Sequence, residues 1–250
     1  MPGDLLVAWT FDEASGPVLD HSGNSRDLTL NGTAARSSGK LIQTSAGTVT
    51  TGPDVTAFET SVRTWMLKLT VTGAANCWAM EFYRTANDTG VMGLLLLSGN
   101  LHFRIKNPSN SVFSSATIPQ DTGNEHHIAA TYDETGTLRV YRDGVLLGSP
   151  VPVTGGIWDA DVLRVLDNAG GVFRIDDVRL FNGALTQEEI DAWRVLPADQ
   201  FPDTGGPETP GRLKYESSPG VWTPVPIKTE TGAPVTVKSE TSPGTWEALP

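Results

Sequence analysis

The feature that most constrains this chain is a period-two alternation in short runs, each broken off by turn-forming residues. In Thr64–Val71 (TWMLKLTV), Trp65, Leu67 and Leu69 fall on one face and Met66, Lys68 and Thr70 on the other. Cys77–Tyr83 repeats the pattern, which places Trp78, Met80 and Phe82 on one face and Ala79, Glu81 and Tyr83 opposite. Successive side chains of an extended chain point to opposite sides, so such runs read as strands with a buried and a freer face. Similar strands are expected at 5–11, 28–30, 91–97, 101–105, 127–132, 138–141, 145–147 and 173–181. Ser98-Gly99-Asn100, Asp133-Glu134-Thr135-Gly136 and Arg142-Asp143-Gly144 join pairs of them, Asp-Gly being a strong hairpin signal because it tolerates positive φ. One helix start is evident: Thr186-Gln187-Glu188-Glu189 is a capping box, and Ile190 and Trp193 then share a face. The pattern spells an all-β antiparallel sandwich closed by one short C-terminal helix.

Charge narrows the partners. The formal net charge is −11, from 29 acidic and 18 basic residues, which repels phosphate backbones and argues against nucleic acid. Cys77 is the single cysteine, so no intrachain disulfide is available, and folding in a reducing compartment is expected. Met1-Pro2-Gly3-Asp4 runs straight into strand-like sequence without a basic segment and apolar core, so no signal peptide is expected. The longest apolar run, 91–97, is far too short to span a bilayer, and no membrane insertion is expected.

The sandwich is expected to occupy residues 1–196. Residues 197–211, rich in Pro, Gly and acidic side chains, read as a linker. Residues 212–250 hold a duplication: Lys214-Tyr215-Glu216-Ser217-Ser218-Pro219-Gly220-Val221-Trp222 matches Lys238-Ser239-Glu240-Thr241-Ser242-Pro243-Gly244-Thr245-Trp246. Each copy reads as strand, turn, strand, and two such units cannot bury a core of their own. Either Trp222 and Trp246, set after the Pro219-Gly220 and Pro243-Gly244 turns, dock into a partner subunit, or the tail is loosely ordered.

An ordered set of motifs over roughly residues 5–195 resembles the laminin G-like branch of the concanavalin A-like lectin/glucanase superfamily, a jelly-roll sandwich. Trp9-Thr10-Phe11-Asp12-Glu13 and Asp20-His21-Ser22-Gly23-Asn24 stand at the start. His126-His127-Ile128-Ala129, Tyr132-Asp133 and Tyr141-Arg142-Asp143-Gly144 lie in the middle. Ile175-Asp176-Asp177-Val178-Arg179 and Leu185-Thr186-Gln187-Glu188-Glu189-Ile190 close the set. Glu125 stands where the family usually carries Trp. The C-terminal repeats resemble the ends of minor tail proteins of phages that infect actinobacteria, a likeness compatible with a protein that leaves the cell by lysis.

Glucanases of this superfamily carry Glu-x-Asp-x-x-Glu on one strand, which aims two carboxylates at one groove. That string is absent here, so no catalytic residues are assigned and the chain is expected not to be an enzyme. No cofactor is required. The resemblance does imply a structural Ca²⁺ held by Asp12 or Glu13, Asp20, and Asp176 or Asp177; the alternative is that Asp20 and Asn24 only cap a turn while one Asp of the 176–177 pair is simply exposed. His126 and His127, being adjacent in a strand, point to opposite faces and cannot easily share an ion. Glu81 and Tyr83, with His102 and Arg104 on another strand, are the candidate glycan-binding residues, against the alternative of an ordinary solvated face with cross-strand ion pairs. The expected function is a virion-surface structural protein. It would be a minor tail protein or tail-associated adhesin that displays a lectin-like domain to host glycan and attaches to other virion subunits through 212–250. A capsid decoration protein and a bacterial carbohydrate-binding module or lectin are the alternatives, and self-association stays open.

Overall fold

The structure is a computed structural model that describes residues 4–43, 51–54, 62–87, 89–119, 121–156, 159–166, 172–196, 199–200, 214–218, 221–224, 237–242 and 245–248. By internal contacts the chain divides into residues 1–201 and 202–250. In chain order the first unit holds β1 (Leu5–Trp9), β2 (Ala34–Ser37), β3 (Lys40–Gln43), β4 (Thr51–Asp54) and β5 (Thr64–Val71). Next come β6 (Cys77–Arg84), β7 (Thr89–Leu97), β8 (Asn100–Lys106), β9 (Val112–Ser114), β10 (Glu125–Tyr132) and β11 (Thr137–Arg142). The remainder are β12 (Val145–Leu146), β13 (Val151–Pro152), β14 (Val162–Val165), β15 (Phe173–Phe181) and helix α1 (Gln187–Arg194). The second unit carries β16 (Lys214–Ser218), β17 (Val221–Pro224), β18 (Val237–Ser242) and β19 (Thr245–Ala248). Its turn residues Pro219, Gly220, Pro243 and Gly244 lie outside the described residues.

In the first unit two antiparallel sheets pack face to face. One runs β12-β11-β10-β5-β15-β3-β2, with β1 also on β15 and β13 on β11; the other runs β4-β14-β6-β7-β8-β9. Turn chemistry sets the hairpins. Ser98-Gly99 and Asp143-Gly144 both have positive φ, the conformation whose twist matches the flanking strands. Ser38-Gly39 makes the same turn between β2 and β3, a hairpin that the alternation did not reveal. The short strand expected at 28–30 is instead a single bridge between Leu28 and Val18.

The larger sheet is buried on both sides. Trp65, Leu67, Leu69 and Val71 of β5 face the opposing sheet, where the Trp65 ring meets Phe82 and Phe103 edge-on at 4.8 and 5.5 Å. Met66, Ala129, Tyr141 and Phe181 face the other way and are covered by Leu185, Ile190 and Trp193. Thr186 caps α1 with both bonds of the capping box in place. Arg179, fully buried under the helix, donates to the Trp193 and Leu196 carbonyls at 3.1 and 2.6 Å. These bonds satisfy the helix end and offset the cost of burying a guanidinium.

His126 and His127 do face opposite sides of β10: His126 Nδ1 lies 2.8 Å from Asp143 Oδ2, while His127 is buried. Burial first, then the charges of Arg179 and Arg194, push the His127 imidazole down to about 3. The unfolded chain takes up this proton near pH ~6.5. The folded state resists it, so stability is intact above that pH and falls as the pH drops toward 3. Between pH 7 and 4 the urea midpoint of the wild type should therefore fall further than that of His127→Gln; parallel curves would show that His127 is not buried neutral.

Candidate functional site

The outer face of the smaller sheet is built by two irregularities in strand pairing. On β6, Trp78 pairs with Leu95 but Met80 pairs with Leu94, so Ala79 is an extra residue, a β-bulge. The bulge keeps Met80 and Phe82 in the core and moves Trp78 to the outer side with Glu81 and Tyr83. Simple alternation had put Trp78 on the opposite face, and this is corrected here. The second shift, between Phe82 and Tyr83, makes Val91 the extra residue on β7 and leaves Gly90 beside Tyr83.

Register then aligns four residues across the outer face: Arg164 on β14 pairs with Glu81, Glu81 with Gly93, and Gly93 with Arg104 on β8. A side chain cannot replace Gly93, because its Cβ would lie 2.2 Å from the Met80 carbonyl oxygen and 2.6 Å from Glu81 Cα. At Gly90 a Cβ would strike the Glu81 carboxylate and the Trp78 ring. The two glycines therefore admit the large side chains of β6 into a pocket of about 390 Å³, lined by Trp78, Glu81, Tyr83, Arg104, Lys106 and Arg164 among others. Glu81 is wholly buried, with Arg164 Nη1 4.0 Å from its Oε1. The same guanidinium lies over the Tyr83 ring, 3.2 Å from its centroid, a cation–π contact of roughly 0.5–2 kcal/mol. Lys106 donates to Thr89 Oγ1 at 2.6 Å.

Three of the four expected glycan residues, Glu81, Tyr83 and Arg104, thus meet in one pocket. His102 shares the outer face through its pairing with Leu95 but does not line the pocket; its Nδ1 lies 3.3 Å from the Ser115 carbonyl oxygen. Trp78, Lys106 and Arg164 also line it. Arg164 was legible as the single charged residue in the apolar run Val162-Leu163-Arg164-Val165, whereas nothing in the sequence marks the bulge that brings in Trp78.

The acidic residues proposed for Ca²⁺ are held differently. Asp20 Oδ1 accepts from the Ala8 and Ser22 amides at 3.0 and 2.9 Å, and its Oδ2 from the Ser22 hydroxyl and Arg26 amide at 2.8 and 2.9 Å. Glu13 accepts from the Leu19 amide at 2.7 Å and faces Arg36 Nε at 3.6 Å, while Asp12 is exposed. Asp177 is ion-paired with Lys68, and Asp176 lies 3.6 Å from Lys40 Nζ. Among the described residues, no group of three or more His, Cys, Asp or Glu side chains is disposed to hold a metal. This donor set does not fit one shared cation; turn amides organise the Asp20 loop, while neither Asp176 nor Asp177 is exposed as the turn reading expected of one of them, because each faces a lysine.

Residues 42–191 match a laminin G family model described as the concanavalin A-like lectin/glucanases superfamily. The chain belongs to that superfamily. The segment matched by the superfamily model contains the pocket, the β10 histidines and the β15 motif. Among curated proteins no sequence matches significantly. Similar solved structures include Trypanosoma rangeli sialidase in complex with 2,3-difluoro-KDN (TM-score 0.60, 15% identity) and the same sialidase in complex with sialic acid (0.58, 14%). Each covers 75% of this chain and 32% of the sialidase. The receptor binding domain of botulinum neurotoxin C/D mosaic serotype also matches (0.58, 12%), over 75% of this chain and 50% of that one. The chain thus spans about a third of the sialidase and half of the toxin domain. At such identities the likeness is one of fold. No helix among the described residues is long and apolar enough to cross a membrane.

Gly93→Ala tests the pocket's construction. Its methyl would press on the Met80 carbonyl and cost about 1–3 kcal/mol; an unchanged melting temperature would show that the strands are not this close.

Proposed function

We propose that the sandwich is a non-enzymatic saccharide-binding module displayed on a virion surface, with the pocket on the smaller sheet as its site. The observation that carries this reading is the lining itself: a half-buried Trp78 and a buried Tyr83 beside charged hydrogen-bonding groups at one concave place. Aromatic faces take the apolar face of a sugar ring, and a few fixed polar groups read its hydroxyls. Glycoside hydrolysis generally needs two carboxylates about 5–10 Å apart. Among the described residues the pocket lining supplies Glu81 alone, fully buried and set against Arg164, which favours binding over hydrolysis. A sialidase with sialic acid and a toxin receptor-binding domain, as similar folds, support a saccharide or receptor ligand. Trp78→Ala should lower saccharide binding on a glycan array at least tenfold with an unchanged circular dichroism spectrum; undiminished binding would place the site elsewhere.

In the same reading, residues 212–250 attach the module to the particle, at the tail in the first instance. The duplicated KxE[ST]SPGxW segment supports this, since Trp222 stands opposite Glu216 in the backbone register and Trp246 stands opposite Glu240. Deleting 211–250 should abolish incorporation into particles while leaving the first unit's melting transition in place. Normal incorporation would refute the attachment, and particles labelled on the capsid shell would reassign it to decoration.

A further inference from the structure

The charges in the pocket are uneven in a way that the saccharide reading does not use. Among the described residues three cations line it, Arg104, Lys106 and Arg164, against the one carboxylate of Glu81, in a chain whose formal charge is −11. Two of the cations are engaged: Arg164 with Glu81 and the Tyr83 ring, Lys106 with Thr89. The Arg104 side chain is half-buried and has no hydrogen bond or ion pair among the described residues. Gly93 separates it from Glu81 in the cross-strand row, so its nearest outer-face neighbour on β7 carries no side chain. Burial alone pulls its guanidinium below the ordinary value, with no carboxylate offsetting the cost. A partly desolvated guanidinium without a counter-charge is a fork of donors suited to a planar or tetrahedral oxyanion.

We propose that the pocket selects an acidic saccharide, and that Arg104 binds its carboxylate or phosphate group while the sugar ring lies against Trp78. This rests on the pocket being the saccharide site. Arg104 sets the preference for charge; Trp78 supplies affinity for the ring.

The test is calorimetric titration of the full chain with a panel of uronate oligosaccharides, their neutral methyl esters, and galactose 6-phosphate beside galactose. The wild type should bind at least one acidic ligand about tenfold or more tightly than its neutral counterpart. Raised salt should weaken that preference. Arg104→Gln should bring the acidic ligand down to the neutral one, and Arg104→Lys should retain part of the difference. A preference for the uronates or for the phosphate identifies which oxyanion is read, and either supports the proposal. Equal binding of acid and ester, unchanged in Arg104→Gln but lost in Trp78→Ala, would overturn the acidic preference and leave the saccharide site standing. No binding of any ligand by the wild type would overturn both.

Discussion

One extra residue on one strand decides what this protein presents to solvent. With Ala79 bulged out of the pairing between β6 and β7, the inward set becomes Cys77, Met80 and Phe82, and the outward set Trp78, Glu81 and Tyr83. Without the bulge, Trp78 would share the core face with Met80, because strand side chains alternate strictly. Trp78 reaches the pocket through this shift, whereas Glu81 and Tyr83 simply alternate with Met80 and Phe82. Glycine is required at 93, where the β6 backbone comes too close for a Cβ, and at 90, where the Glu81 carboxylate and the Trp78 ring take the space.

The framework and the pocket were legible to different degrees, for physical reasons. The hairpin turn at Asp143-Gly144 and the capping box at Thr186 were visible because each depends on local chemistry, positive φ and a side chain returning to the backbone; β15 was read at its full extent, but the irregularity at Asp177 that shifts its inward residues from 173 and 175 to 178 and 180 was not. The Ser38-Gly39 hairpin was missed because β2 and β3 are short and carry little apolar alternation. Glu81, Tyr83 and Arg104 were readable as one surface because their strands obey the period of two over those residues. Trp78 was not, since a bulge is a relation between two strands and leaves no mark on either sequence alone. The acidic residues of the N-terminal loop and β15 were grouped by resemblance, and the structure divides them between turn amides and lysines.

The larger sheet is covered on one side by the smaller sheet and on the other by α1, and the pocket lies on the smaller sheet's outer face, apart from both core layers. That separation of scaffold from surface is how sandwiches host many ligands. On the proposed reading, the sandwich meets a saccharide and the duplicated C-terminal segment meets the particle, and each task falls to a unit with its own contacts.

The central claim is that ligand meets this chain at the bulged face of β6. Six of the seven tryptophans place a reporter in each region: Trp78 in the pocket, Trp9, Trp65 and Trp193 buried in the sandwich, Trp222 and Trp246 in the C-terminal unit. Titrating the full chain, labelled with ¹⁵N at the indoles, with the tightest-binding saccharide reads them together. The account predicts that the Trp78 signal moves in proportion to occupancy while those of Trp9, Trp65 and Trp193 stay. Movement of Trp222 or Trp246 with Trp78 unmoved would contradict it.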